Sequence, residues 1–368
     1  MRRTSQSHLG FTLIEMLVVV SVVGVLLALL LPAIGAARET ARRLDCSNRM
    51  KQISLGISNY ESVYRQYPTC RRGSLYADDP YARIGGLMMI LPFVEQQPLY
   101  EKLDSSIAYN HVFSTTSNFE YFCLLNFFPS TWMMCPVPRS SSRTVVIEPW
   151  LDKVDLFRCP SDPRRESESE MGYTNYAFSL GDTIIDNANG KTRGMFESTT
   201  YRRHRDVTDG LSNTIFMSEI KVDGEMIEWL DDALLSVPRT YSKAYNAITI
   251  TGNVPPTAPE FFGRGRRWVD GAPIFTGFNT ILPPGDVSAD HRDASDLTYG
   301  NFAAGSYHAG GGVNCAFGDG SIRFVTAQVD CGDLSQPAPL GSDSRNSPYG
   351  VWGSLGTIAA EELVSEPN

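Results

Sequence analysis

"GFTLIEMLVVVSVVGVLLALLLP", Gly10 to Pro32, decides how the rest of the chain is read. Residues 11–31 are apolar apart from Thr12, Glu15, Ser21 and Gly24, and about twenty such residues cross a bilayer as a helix. A short basic stretch with Arg2, Arg3 and His8 precedes them. Glu15 is the exception that needs explaining. A carboxylate in lipid costs roughly 2.5–3.5 kcal/mol on insertion scales, so acids at that depth are held by a partner. Arg2 and Arg3 lie more than about three helical turns away, which directs attention to another chain, or to a new α-amine on Phe11 if the bond after Gly10 is cut. Two alternatives stand beside this. A cleavable secretory signal could use the small residues of "LLPAIGAARETARR", and a plain single-pass anchor could let its acid snorkel to the interface. The first accounts for neither Glu15 nor the Gly10–Phe11 junction.

Beyond Pro32 the helical pattern continues. Ala37, Ala41 and Leu44 recur at helical spacing, as do Met50, Ile53, Ile57 and Tyr60, with charged residues between them. One helix of about fifty residues is expected from Phe11 to about Tyr64, kinked at Pro32 and ended by Pro68. Ile84 to Asp104 suggests a short buried helix, and residues 105–150 yield no assignment. From Cys159 onward, short β-like runs alternate with Asp-Gly and Pro-Gly punctuation. The fold class is therefore α+β, a long N-terminal helix packed on a mainly antiparallel sheet with long loops. Its parts are a leader over 1–10, a transmembrane helix over 11–31, a helical stem over 32–66 and a globular head over 67–368. Thr249–Trp268 and Asp333–Pro348 read as exposed loops.

The 368 residues carry a formal net charge of −9, which argues against general nucleic-acid binding. The basic stretch "GRGRRW", Gly263 to Trp268, reads as a patch that pairs with acidic loops or a neighbouring subunit. Seven cysteines, at 46, 70, 123, 135, 159, 315 and 331, contain no C-x-x-C pair and are accompanied by no His cluster, so a metal framework is not expected. If the head is exported, disulfides become the better reading. Proximity in sequence suggests Cys135 with Cys159 and Cys315 with Cys331. Charge placement conflicts with export, since Arg38, Arg42, Arg43 and Lys51 follow the apolar run while only Arg2 and Arg3 precede it.

"LGFTLIEMLVVVSVVGVLLALLLPAIGAARETARR" closely resembles the type IV prepilin leader. The resemblance implies that Gly10 precedes the cut made by a prepilin peptidase, that Phe11 becomes N-methylated, and that Glu15 serves assembly. It further implies an inner-membrane protein with its leader in the cytoplasm and its head in the periplasm or at the cell surface. Its partners would be the peptidase, like or related pilin subunits and an inner-membrane assembly platform; the specialised leader would then fix topology. The stretches "CSNRMKQISLGISNY", "ILPFVEQQPLY", "FRCPSDP", "YTNYAFSLGD", "DVTDGLSNTIFMSE", "WVDGAPIFTGFNTILPP", "SYHAGGGVNCAFGDGSIRFV" and "SPYGVWGSLGT" resemble a narrower family, the prepilin-like domain of unknown function 1559. That family carries a signature of His, nine residues, then Asp-Gly. Here ten residues separate His308 from Asp319, and Gly310, Gly311 and Gly312 offer to absorb the extra one.

In the head, Val313–Phe317 and Ser321–Val325 read as a hairpin, within residues 313–325, turning at Asp319-Gly320. A structural use of His308, Asp319 and Gly320 is expected, with a ligand, metal or processing role as the alternative. A hydrolase reading would combine Ser306, His308 and Asp319, but no nucleophile elbow accompanies them, and the chain is not expected to be an enzyme. Asp286, Asp290, Asp293 and Asp296 lack EF-hand spacing and read as a solvated loop. No cofactor is expected, with calcium in these head loops as the alternative. A membrane-anchored module that binds glycan or another extracellular ligand is the rival to assembly.

Overall fold

The computed structural model describes residues 13–72, 84–105, 151–166, 172–184, 191–198, 200–222, 226–229, 264–286, 288–291 and 300–360. Helix α1 spans Leu13–Tyr64, 52 residues without interruption at Pro32. It closes where Arg65 takes a left-handed φ of 57° and its amide returns to the Glu61 carbonyl at 2.7 Å. A residue of this conformation stops a helix by satisfying a terminal carbonyl, and Pro68 follows.

Residues 13–38 of α1 are exposed along their whole length. Partial burial begins at the next residue. Glu39, Arg43, Cys46, Met50, Ile53, Ile57 and Tyr60 alternate at spacings of four and three, the stripe that a helix presents to a single surface. Its lower members, from Cys46 on, are at most 6% exposed. Burying Met50, Ile53 and Ile57 stabilises the docked stem by roughly 1.5–3 kcal/mol each. Ala37, Ala41 and Leu44, which also recur at helical spacing, are exposed; they lie off the stripe, which continues upward through the polar Glu39 and Arg43. Gly56 sits where α1 meets the turn after the short helix Gly86–Ile90. A Cβ there would stand 2.5 Å from Val94 Cγ1, so a larger residue would require the Val94 side chain to move. The expected helix over 84–104 is two pieces, Gly86–Ile90 and a stretch over 97–105.

The head is organised on a mixed five-stranded sheet. Its strands are β1 (Tyr176–Ser179), β2 (Ile215–Glu219), β4 (Gly277–Phe278), β7 (Val313–Phe317) and β8 (Ile322–Val325), in the order β4-β1-β2-β7-β8. Within this sheet only the β1–β4 pairing is parallel. Three further strands, β3 (Met226–Trp229), β5 (Ser288–His291) and β6 (Gly300–Asn301), form a second sheet, in which β3 and β5 also pair in parallel.

All residues of β1, β2 and β7 are buried, because both faces of the main sheet are covered. Tyr176, Phe178, Phe216 and Ala316 pack in one cluster with Met50, Ile53 and Ile57 of α1. On the reverse face Ala177, Ile215, Val313, Cys315 and Phe317 pack with Trp352 and Leu355 of the helix Gly350–Gly356. The sheet is thus held between the stem and a C-terminal helix.

Two expectations about the head are corrected. Cys159 is joined to Cys46 and not to Cys135, which lies outside the described residues; Cys315 and Cys331 are both free thiols. Cys315 faces the Trp352 side of β7, with its thiol 3.6 Å from Ser218 Oγ, so strand geometry and not sequence proximity decides its neighbour. The C-terminal part of the supposed basic loop is interior. Arg264 and Arg267 are buried beside the buried Trp268. Arg264 donates to the carbonyls of Pro273 and Ile274 at 3.0 and 2.9 Å, and Arg267 lies 3.6 Å from Asp270.

Candidate functional site

The site is built where the stem leaves the sheet. Four segments meet there: α1 brings Glu39 and Cys46, the turn after Asp155–Phe157 brings Cys159, the end of β2 brings Glu219, and the loop before β7 brings His308. The Cys46–Cys159 disulfide joins positions 113 residues apart. Beside it, His308 Nδ1 is 3.0 Å from Glu39 Oε1, and Nε2 is 3.1 Å from Glu219 Oε1. Both neighbours are carboxylates, so an imidazolium donating from both nitrogens satisfies the group. Burial pushes the His308 pKa down, but the hydrogen bonds and charges of Glu219 and Glu39 outweigh it and the net shift is upward. Glu39 moves the opposite way. Its partial burial raises the carboxyl, and the bond and charge of His308 more than offset this, leaving it below its ordinary value.

Glu219 is held from a second side. The Asn314 amide donates to Oε2 at 2.8 Å and its side chain to Oε1 at 3.0 Å. The backbone of the disulfide is fixed as well: the Tyr176 hydroxyl donates to the Cys46 carbonyl at 3.1 Å, and the Cys159 amide donates to Asn175 Oδ1 at 3.0 Å.

Cations of the stem complete the joint. Arg49 donates to the carbonyl of Arg158 at 2.9 Å and to that of Asp155, Lys51 donates to the Gly320 carbonyl, and the Arg43 guanidinium lies 3.4 Å from the centre of the Phe324 ring. A cation over an aromatic face contributes about 0.5–2 kcal/mol according to its solvation. Of the positive charges that run against the topology rule, Arg43 and Lys51 therefore have a use in docking the head.

His308 and Asp319 serve different places. Asp319 turns the β7–β8 hairpin, with its Oδ1 accepting from the Ser321 amide at 2.8 Å, while Gly320 takes a φ of 79°. Between them Gly310, Gly311 and Gly312 take φ of 90°, 73° and 121°, conformations that favour glycine. Ser306 is not on a strand beside His308. Its hydroxyl donates to the Gly312 carbonyl at 2.6 Å and accepts from the His308 amide, so no Ser306–His308–Asp319 relay is assembled. Glu15 lies in the first turn of α1 and is exposed. Gly10, Phe11, Cys123, Asp293 and Asp296 lie outside the described residues, as does the side chain of Asp290.

A family profile described as "Protein of unknown function (DUF1559)" matches residues 35–332. The chain belongs to the DUF1559 family. A second profile, the prokaryotic N-terminal methylation motif, matches residues 6–31. The DUF1559 chain is accordingly type IV pilin-like, a single-pass, membrane-anchored protein processed by a prepilin peptidase and assembling with pilin-like subunits. No curated protein and no solved structure matches it.

Cys46, Glu39, Glu219 and Asn314 are site residues that the sequence reading does not single out. Three left a signal. Glu219 is an acid inside the apolar run Ile215–Ile220, and Glu39 stands seven residues before Cys46, two turns up the same helix face. Cys46 and Cys159 both fall in stretches that carry the family resemblance.

Proposed function

We propose that this chain is a subunit of a type IV pilus or of a type II secretion-like assembly, anchored in the inner membrane with its head in the periplasm or at the cell surface. The leader is cut after Gly10, Phe11 is N-methylated, and residues 13–38 pack against the same segment of neighbouring subunits. Glu15 aligns each subunit through the α-amine of a neighbour's Phe11. One observation carries the reading: the methylation motif runs into a helix whose first half is apolar and wholly exposed, while its second half is locked to the head. An apolar surface of that length is stable only in lipid or against other such helices. The Cys46–Cys159 bond fits an oxidising compartment and so favours a head outside the cytoplasm. The head acts by association and not by turnover; the employment of the Ser306 hydroxyl in its own loop is in line with this.

The test is intact-mass analysis and N-terminal sequencing of the chain from its native host, together with a Glu15→Ala variant. A mature chain beginning at N-methylated Phe11, with the variant processed but left out of the assembly, is expected. A chain beginning at Met1, or cut after the apolar run, refutes the reading.

A further inference from the structure

Cys46, Cys159, Glu219 and His308 present one sulfur, nitrogen or oxygen donor each, all within 4.8 Å of one another and all buried. A disulfide requires neither an imidazole nor a carboxylate at its flank, yet here both are built in from separate segments. A tetrahedral zinc with Zn–S of about 2.3 Å and Zn–N or Zn–O of about 2.0 Å has ligand-to-ligand edges of roughly 3.3–3.8 Å. The His308 Nε2 to Glu219 Oε1 distance is 3.1 Å and the His308 Nε2 to Cys159 Sγ distance is 3.9 Å. The surroundings have the form that metal ligands require. His308 directs Nδ1 at the Glu39 carboxylate and Nε2 into the cluster, as a zinc-bound imidazole is oriented by an outer carboxylate. Asn314 fixes the rotamer of Glu219 with two hydrogen bonds.

We propose that Cys46, Cys159, Glu219 and His308 form a closed zinc site whenever the two cysteines are thiols, so that disulfide and metal are alternative fastenings of the stem to the head. The two states are linked by a balanced sequence. A dithiol reduces the Cys46–Cys159 bond, giving up two electrons and two protons and becoming a disulfide itself. Zn²⁺ then displaces both thiol protons and the Nε2 proton of the imidazolium, releasing three protons to solvent, while Nδ1 keeps its proton and donates it to the Glu39 carboxylate. Thiolate, imidazole and carboxylate in a four-coordinate closed site is the donor chemistry of structural zinc. Either fastening leaves the buried stripe from Met50 to Tyr60 in place, and the proposal does not depend on which assembly the helix joins.

The test uses the full chain in detergent, stripped of metal and titrated with Co²⁺ as a spectroscopic substitute, once oxidised and once after a phosphine reductant. The reduced chain should bind one Co²⁺ with thiolate-to-cobalt charge transfer and tetrahedral d–d bands, and Zn²⁺ should bleach both; the oxidised chain should show neither. Cys46→Ser and His308→Asn should abolish the signal, while Cys70→Ser, at a buried thiol outside the cluster, should keep it. Glu39→Gln retains all four ligands and should weaken binding about 10–100-fold, which keeps the test informative even where a ligand variant folds poorly. A reduced chain without Co²⁺ absorption, equal absorption in the oxidised chain, or an unchanged spectrum in His308→Asn would overturn the site.

Discussion

Replacing Cys46 and Cys159 together by alanine removes the covalent link between stem and head, and its cost follows from where the link sits. The bond closes a loop of 113 residues, for which the chain-entropy relation gives about 5 kcal/mol at 25 °C, against about 2–4 kcal/mol measured for typical disulfides. The native contacts around it do not depend on the sulfurs. Met50, Ile53 and Ile57 stay packed against Tyr176 and Phe178, so the variant should still fold with its stem docked. Its free energy of unfolding should fall by about 2–4 kcal/mol, a midpoint change on the order of 1 M urea for a slope near 3 kcal/mol/M. Equilibrium urea unfolding of the full chain in detergent with a chelator present measures this, read by the fluorescence of the buried Trp268 and Trp352. Phosphine reduction of the unmodified chain should give the same shift. A loss below about 1 kcal/mol, or a non-reducing peptide map that joins Cys159 to a cysteine other than Cys46, would refute the reasoning.

Two further outcomes concern the hairpin and its approach. Gly312→Ala should cost more than Gly310→Ala: a Cβ at Gly312 would stand 2.5 Å from the Val325 carbonyl and 2.8 Å from the Phe324 ring, whereas nothing lies within 4 Å at Gly310. Positive φ costs both variants about 1–2 kcal/mol, overpacking adds about 1–3 kcal/mol at Gly312 alone, and equal thermal shifts would contradict the loop geometry. Asp319 sets an acid limb. Partial burial pushes its carboxyl up, but the hydrogen bonds of Ser321 and the charges of Arg323 and Lys51 hold it below its ordinary value. A group depressed in the folded state stabilises above its unfolded pKa of about 3.9 and loses that contribution as pH falls through the folded value. Asp319→Asn should flatten the acid limb of the unfolding midpoint, and identical pH profiles for the two proteins would exclude the effect.

Much of the architecture could be read without coordinates because it is written in local patterns. The apolar run after Gly10, the spacing of Met50, Ile53, Ile57 and Tyr60, and the Asp319-Gly320 turn each depend on residues within a few positions of one another. Periodicity and turn chemistry act over that range. The errors arose where burial reverses local appearance. Arg264 and Arg267 look like surface cations but are interior, where carbonyls, Asp270 and aromatic faces receive them. Leu44 looks like a stripe residue and is exposed, because the face that meets the head is set by Cys46 and Arg43.

The sequence by itself determined the membrane-length helix, its Glu15, the α+β class and the hairpin over 313–325, since each follows from residue type and short-range order. It could not determine which cysteine bonds to Cys159, nor that His308 would lie between Glu39 and Glu219 and apart from Asp319. Those partners come from positions 39, 46, 159, 219 and 308, brought together by a helix, a turn, a strand and a loop. Contacts between such distant positions are selected by packing of the whole sheet against the stem. Only the tertiary structure decided them.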